Sequence, residues 1–402
     1  MAIRLPAVSL DAVNSFAAMR HGLRASRFRR ACDVLSEIIG VQAAPPGCYL
    51  SIGVRTGRFR ACELARELHG RRRAVRLRAM RGELFIVPVE RLPIVFQATR
   101  EQCVRPLARQ LKDWGLSEVR YWRLAEKIEW QLEREFMTLK QLRRELSWHR
   151  APMAYRLPVI VEMMCAEGRL VRTRVAGDRE NLVAEYTRFA NWLPDVDLAS
   201  IAVADAQARL ASLYFDAHGP ASRADFEWWS GLATAEANAA IDAIAADITP
   251  VEIRGLHDEY LMSRRWLGAL VDTDASARDI VSFVPAGDPY MTAHSGRGHW
   301  RNRLNRDCQR AVFDDWGRPI SVVLLGSRIG GVWRFREVPD GVTFEVALFD
   351  EQSHGVWSAL RRECEQLVRR AGMGQARLLA RRTPPRAFVD MWSEFLPPAR
   401  DG

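Results

Sequence analysis

Residues 138–186 read TLKQLRRELSWHRAPMAYRLPVIVEMMCAEGRLVRTRVAGDRENLVAEY. Thr138 has the side chain of a helix N-cap, and the apolar Leu142 and Leu146 that follow are four apart, so a helix is predicted from Leu139 to about Ser147. His149-Arg150-Ala151 reads as a turn. Pro152 stands where helices accept proline, and Met153, Leu157, Ile160, Met163 and Met164 keep a helical period to about Glu167. Pro158 lies inside that span and is expected to kink the helix or delay its start. Gly168 ends it. Leu170–Arg174 and Asn181–Tyr186 read as two strands around the turn Ala176-Gly177-Asp178. Helix, turn, helix, strand, turn, strand is the order of a winged helix.

The same order recurs on both sides of this stretch. Downstream, Val203–His218, Ser222–Trp229 and Thr234–Ile248 read as helices, followed by strand-like Val251–Arg254 and Glu259–Met262. Upstream, Phe28–Ile39, Cys48–Thr56 and Arg60–Leu68 read as helices, and Ala74–Met80 and Glu83–Val89 alternate like two wing strands. After about residue 275 the texture changes. Ile320–Leu325, Arg328–Arg336 and Thr343–Phe349 read as strands, separated by Gly326 and Pro339-Asp340-Gly341, and one helix follows over His354–Arg370. The expected class is α+β: three tandem winged helix-turn-helix units plus a small C-terminal β-barrel-like domain. Boundaries are placed at 1–98, 99–198, 199–274 and 275–402.

Charge separates the first of these units from the others. Of 59 basic residues 56 are arginine, and residues 1–100 hold 18 of them against seven acids. The whole chain is only +10, and residues 201–300 carry 14 acids against seven arginines. So lopsided a distribution is a local basic face, whose plainest partner is a polyphosphate. The arginines that form it are Arg24, Arg27, Arg29, Arg30, Arg55 and Arg58, then Arg60, Arg71, Arg72, Arg73, Arg76, Arg78 and Arg81. Phosphate contacts need many donors and no fixed spacing.

Other classes of chemistry find little support. Seven scattered cysteines form no Cys-x-x-Cys pair, which points to a reducing cytoplasm and away from disulfides and structural zinc. No run of 18 apolar residues and no signal-peptide pattern is present. No Walker loop or zinc-protease motif occurs, and His294-Ser295-Gly296-Arg297-Gly298-His299 reads as a plain loop. Trp228 and Trp229 read as core residues of the acidic unit.

Two segments hold candidate site residues. In Ile39-Gly40-Val41-Gln42-Ala43-Ala44-Pro45-Pro46 a polar amide stands just before a stiff break between helices. Gln42 either caps helix-end carbonyls or is presented into a basic groove. In Met80-Arg81-Gly82-Glu83-Leu84-Phe85 a hairpin tip is followed at once by a carboxylate, either solvent-exposed or turned toward the same concave face.

These segments resemble the AlkZ/YcaQ-like bacterial DNA glycosylases, winged-helix DNA-binding proteins. Arg20-His21-Gly22-Leu23 is similar to that family's Arg-Gln-Gly-Leu. Ile39–Ala43 is similar to its Gly-Leu-Gln-Ala-Gln loop, and Met80–Phe85 to its Met-Arg-Gly-Thr-Leu-His. Asp288-Pro289-Tyr290-Met291 and Gly330-Gly331-Val332-Trp333-Arg334 resemble its barrel signatures. The resemblance implies a C-shaped array of winged helices, a basic concave surface for duplex DNA, and excision of N-alkylated or crosslinked purines. It implies no cofactor and no metal, and a monomeric, cytoplasmic, membrane-free protein is expected. The family's Gln-x-Gln or Gln-x-Asp pair falls on Gln42 and Ala44, and a methyl group neither orients water nor bears charge. Glu83 and Phe85 replace the family's Thr and His, so Glu83 is the candidate substitute for the missing polar group. The expected site is Gln42 and Glu83 for catalysis. DNA contact is assigned to Arg20, Arg24, Arg27, Arg30, Arg55, Arg58, Arg72, Arg73 and Arg81. A catalytically silent DNA-binding protein and a protein-interaction scaffold are the competing readings.

Overall fold

The structure is a computed structural model. It describes residues 7–24, 28–148, 152–176, 183–274, 281–295, 310–314, 317–338, 341–371 and 374–381. Arg27, the turns at 149–151 and 177–178, Gly296–His299 and Pro339-Asp340 lie outside the described residues.

The chain opens with β1 (Ala7–Val8), α1 (Leu10–Arg20), α2 (Ala31–Glu37), β2 (Val41–Gln42), α3 (Gly47–Gly53) and α4 (Ala61–Ala65). Next come β3 (Ala74–Arg78), β4 (Leu84–Pro88), α5 (Leu92–Asp113) and α6 (Glu118–Gln131). The middle of the chain holds β5 (Met137–Thr138), α7 (Leu139–Glu145), α8 (Met153–Ala166), β6 (Leu170–Ala176) and β7 (Val183–Arg188), closed by α9 (Phe189–Trp192). Then follow α10 (Val203–His218), α11 (Arg223–Ser230), α12 (Thr234–Ala243), β8 (Ile248–Ile253), β9 (Tyr260–Ser263) and α13 (Leu267–Val271). The C-terminal part holds β10 (Val281–Val284), α14 (Pro289–Thr292), β11 (Val322–Leu325), β12 (Arg328–Val338), β13 (Gly341–Leu348), α15 (His354–Ala371) and β14 (Gln375–Ala380).

Two compact units result. One comprises Met1–Glu63, Ser212–Trp229 and Ala245–Gly402, the other Leu64–Ala211 and Ser230–Ile244.

In the second unit β4, β3, β6, β7 and β5 are consecutive strands of one sheet. The hairpin β3–β4 runs antiparallel from Ala74↔Pro88 to Arg78↔Leu84, and β3 pairs with β6 through Arg76↔Arg172. The two expected wings therefore share a sheet, which the separate reading of each wing did not anticipate. Glu162 makes this junction of like charges tolerable, because it takes both Arg78 Nε at 2.8 Å and the Arg172 guanidinium. Thr138 caps α7 through a reciprocal pair with Gln141, as its sequence suggests. Helix α8 contains Pro158 without interruption. The missing N–H at 158 leaves the Ala154 carbonyl without its helical donor, and Arg143 Nη2 donates to it at 3.4 Å. Leu157, Ile160, Val161 and Met164 of α8 are sealed in a core with Tyr121, Ala125 and Ile128 of α6.

Helix α5 is the largest element the periodicity did not reveal. It has proline in its first turn and another, Pro106, inside it, and it runs straight across residue 98.

Two cores of the first unit form on its sheets. In one, β1 lies parallel to β8 (Val8↔Ile253) and β8 antiparallel to β9, and Val13 and Phe16 of α1 pack on them. In the other, β10-β11-β12-β13-β14 form an open five-stranded sheet, antiparallel except for the parallel pair β13–β14. Leu360, Cys364, Leu367 and Val368 line one stripe of α15 and close this half-barrel together with Leu50 and Val54. Trp333 is its central side chain, and its Nε1 donates to Val284 O and Val322 O, both at 3.1 Å. Trp229 is buried against Tyr214, Phe226 and His218, but Trp228 is 39% exposed, which corrects the expectation that both are core residues. Adjacent residues on one helix point about 100° apart, and here Trp229 takes the inward direction. Among the described residues no helix is long and apolar enough to cross a membrane.

Candidate active site

The glutamine loop begins where α2 ends. Gly40 N donates to Leu35 O at 2.8 Å, and the chain turns through two successive left-handed residues, Ile39 (φ 59°) and Gly40 (φ 91°). A β-branched residue with positive φ is an outlier whose strain is of order 1–3 kcal/mol. Full burial of Ile38, Ile39 and Val41 offsets it. Gln42 follows at once, half-buried, while Ala44 is exposed. Pro46 stands before α3, whose first residue is Gly47, and Ala44 O accepts from Cys48 N at 3.1 Å.

A turn of the half-barrel supports this loop. Pro285-Ala286-Gly287-Asp288 has its Gly287 at φ 77°, directly beneath the Gln42 carboxamide. A Cβ at Gly287 would fall well inside 3.0 Å of Gln42 Oε1, and one at Gly47 would lie 3.3 Å from Ala286 O. Two glycines therefore let the loop and the turn approach closely. The turn is held by Ser321 Oγ, which accepts from Ala286 N at 2.9 Å. It is held further by a bidentate pair, Arg55 Nη1 and Nη2 to the Asp288 carboxylate, both at 2.7 Å with neither residue exposed. Arg55 Nη1 also donates to Ser51 O at 2.7 Å, and Asp288 Oδ1 caps α14 by accepting from Tyr290 N at 2.9 Å.

The Arg-His-Gly-Leu segment is equally internal. The Arg20 guanidinium lies 4.0 Å from the centre of the Trp266 ring and pairs with Glu37 and Asp216. His21 Nε2 is 3.2 Å from His218 Nδ1, and His294 Nε2 is 3.1 Å from His218 O. Burial, reinforced by neighbouring cations, pushes the pKa of His21 and His218 well below the ordinary histidine value, so both rings are neutral. Among the described residues no group of three or more His, Cys, Asp or Glu is arranged to hold a metal ion.

Two of the nine arginines expected at DNA are therefore corrected. Arg20 is 2% exposed and Arg55 fully sealed, and a guanidinium locked in a buried carboxylate pair cannot reach a phosphate. In the first unit Arg30 and Arg58 are exposed and Arg24 is half-buried, with Arg29 and Arg60 also exposed. In the second unit Arg73 is exposed and 4.0 Å from the buried Glu67. Arg72 lies over the Trp192 ring at 4.1 Å and donates to Trp192 O at 3.1 Å. Arg76 and Arg78 are committed to Thr173 O and Glu162. Arg81 and Gly82 are both left-handed (φ 56° and 69°) and form the tip before β4. Glu83 follows with its side chain 43% exposed and 3.6 Å from the Arg81 guanidinium. Gly287 and Asp288 were not expected as site supports; Asp288-Pro289-Tyr290-Met291 stood out only as a segment resembling a barrel signature.

The model of the AlkZ-like DNA glycosylases matches residues 35–370. The chain belongs to that family. It is also similar in fold to the DNA glycosylase AlkZ of Streptomyces sahachiroi, with a TM-score of 0.75 at 18% identity over 93% of this chain and 100% of that one. Among curated proteins no relative matches. As a member of the AlkZ-like family the chain is a DNA-glycosylase-type, DNA-binding protein.

Proposed function

We propose that this protein hydrolyses N-glycosidic bonds of alkylated or crosslinked purines in duplex DNA, as a monomer and without a metal or cofactor. A purine alkylated at N7 or N3 is cationic, so the bond from C1′ to the base is already weakened. Water adds its oxygen to C1′, the glycosidic electron pair leaves with the base, and a proton passes to an acceptor or to solvent. The protein's task is to hold the DNA, place the water, and stabilise an oxocarbenium-like sugar. In this reading the Gln42 carboxamide orients the water and the Glu83 carboxylate takes the place of the polar group lost at Ala44. Arg24, Arg30 and Arg58 bind phosphates, as do Arg72, Arg73 and Arg81. Three winged-helix units followed by the half-barrel make up the scaffold.

The observation that carries the reading is the seat of Gln42. Gly287 lies directly against the half-buried Gln42 amide, a strained buried isoleucine precedes it in the loop, and Gly47 and the buried Arg55–Asp288 pair fix the loop and the turn that meet there. Strain and burial concentrated on a single polar side chain are characteristic of sites and not of plain loops. The test is incubation with duplex containing N7-methylguanine followed by alkaline cleavage. The chain should yield strand breaks, and Gln42→Ala should lower the rate about 10²–10⁴-fold. Excision untouched by Glu83→Gln would remove Glu83 from the mechanism.

Ala44 supports a second reading, a DNA-binding protein that has lost the reaction. In that case the chain binds duplex in a salt-sensitive way without making abasic sites, and Ala44→Gln alone gains activity.

A further inference from the structure

Five of the eleven large apolar side chains exposed among the described residues fall between Trp114 and Phe136, on and around α6. The inward stripe of α6 is Tyr121, Ala125 and Ile128, all at most 3% exposed. The opposite stripe is Val119, Arg123, Lys127 and Trp130, with Arg120 and Glu126 on its flanks. Trp130 is 71% exposed and Val119 64%. The acids of this segment mostly have partners: Glu118 accepts from Trp122 Nε1, Glu129 holds Arg169, and Glu133 holds Arg188. Arg120, Arg123, Lys127 and Arg134 make no ion pair with any described residue; Glu126 on the helix and Glu135 beyond its end are the acids of this segment with neither an ion pair nor a side-chain hydrogen bond among the described residues. The outward face of the helix thus sets an open indole beside three cations, Arg120, Arg123 and Lys127, against one acid, Glu126. Arg123 and Lys127 are about 6 Å apart along the helix axis and Trp130 about 4.5 Å further on.

We propose that this outward face of α6 binds unpaired nucleotides, with a base stacked on Trp130 and phosphates on Arg123, Lys127 and the neighbouring Arg120 and Arg134. The cations match phosphate charge. The ring, without a polar partner among the described residues, supplies the sequence-independent stacking surface that an acidic peptide would leave unused. The inference needs neither Gln42 nor base excision.

The test uses the full chain with fluorescently labelled dT12 and a 12-base-pair duplex, read by anisotropy across a salt series. Trp130→Ala should weaken dT12 binding about fivefold or more while leaving duplex binding within about twofold. Lys127→Ala should flatten the salt slope for dT12 by about 0.7. Unchanged thermal melting of both variants shows that folding is intact, and unchanged excision by Trp130→Ala separates this face from the glutamine loop. Undiminished dT12 binding by Trp130→Ala overturns the proposal, as does an equal loss for duplex. A 12-residue polyglutamate bound as tightly as dT12, and lost equally in Trp130→Ala, overturns it in favour of an acidic protein partner.

Discussion

Replacing Gly287 by alanine tests whether the half-barrel turn positions the glutamine amide. The position has φ 77°, where an L-residue costs about 1–2 kcal/mol. The added methyl also enters the space of Gln42 Oε1, and restoring ordinary contact requires the carboxamide to retreat by about 1 Å. A shift of that size at a water-positioning group costs about 10²-fold in rate. Gly255→Ala is the matched control. Its φ is 82°, but a Cβ there meets nothing within 4 Å. Both variants should lose about 1–2 kcal/mol in chemical denaturation, and both should bind duplex like the parent because no exposed arginine is touched. Only Gly287→Ala should lose about 10² in single-turnover excision of N7-methylguanine. Parental excision by Gly287→Ala would refute the positioning argument, as would an equal loss in Gly255→Ala.

Other expectations follow from the same geometry. Arg55→Ala leaves the Asp288 carboxylate buried without its partner, and the urea midpoint should fall by the equivalent of about 3–5 kcal/mol. His21 and His218 are held neutral by burial, so well above pH 6.5 neither folded nor unfolded chain protonates them and stability is unaffected. Below pH 6.5 the unfolded chain takes up both protons and the folded chain resists. Stability should then fall by up to about 2.7 kcal/mol per pH unit, read from denaturation at pH 7.5 and 5.5, with His218→Asn reducing the slope. Arg58→Ala and Arg73→Ala should each lower the salt slope of duplex binding by about 0.9 without moving the melting temperature. Arg20→Ala should lower the melting temperature instead, because it empties a buried site between Trp266, Glu37 and Asp216.

Local signals carried much of the architecture. The Thr138 cap, Gly168 and the alternating β3–β4 segment marked elements that recur in the structure within a few residues, and Val203–His218 coincides with α10. Contacts remote in sequence were invisible. Arg55 read as a surface cation because its carboxylate lies 233 residues away, and β1 joins β8 across most of the chain. Arg20 was misread for the same reason. Net charge counts guanidinium groups but is blind to which carboxylate neutralises them. Helix α5 was hidden by Pro106, a helix breaker by local rule that nevertheless lies inside it; its other proline sits in the first turn, where helices accept one. Of the candidate site, Gln42 was legible because a polar residue at a stiff break is conspicuous. Its seat on Gly287 was not, since a glycine in a distant turn carries no mark of what lies above it.

The pairing of β3 with β6 bears on how this protein can be cut into pieces. A fragment beginning at residue 99 would lose the first turns of α5 and strip the neighbour from β6, baring backbone donors and acceptors to any passing strand. A repeat traced along a sequence is thus not automatically an autonomous building block. Fragments for crystallography or expression of the second unit should retain the hairpin 74–88, or they will tend to self-associate.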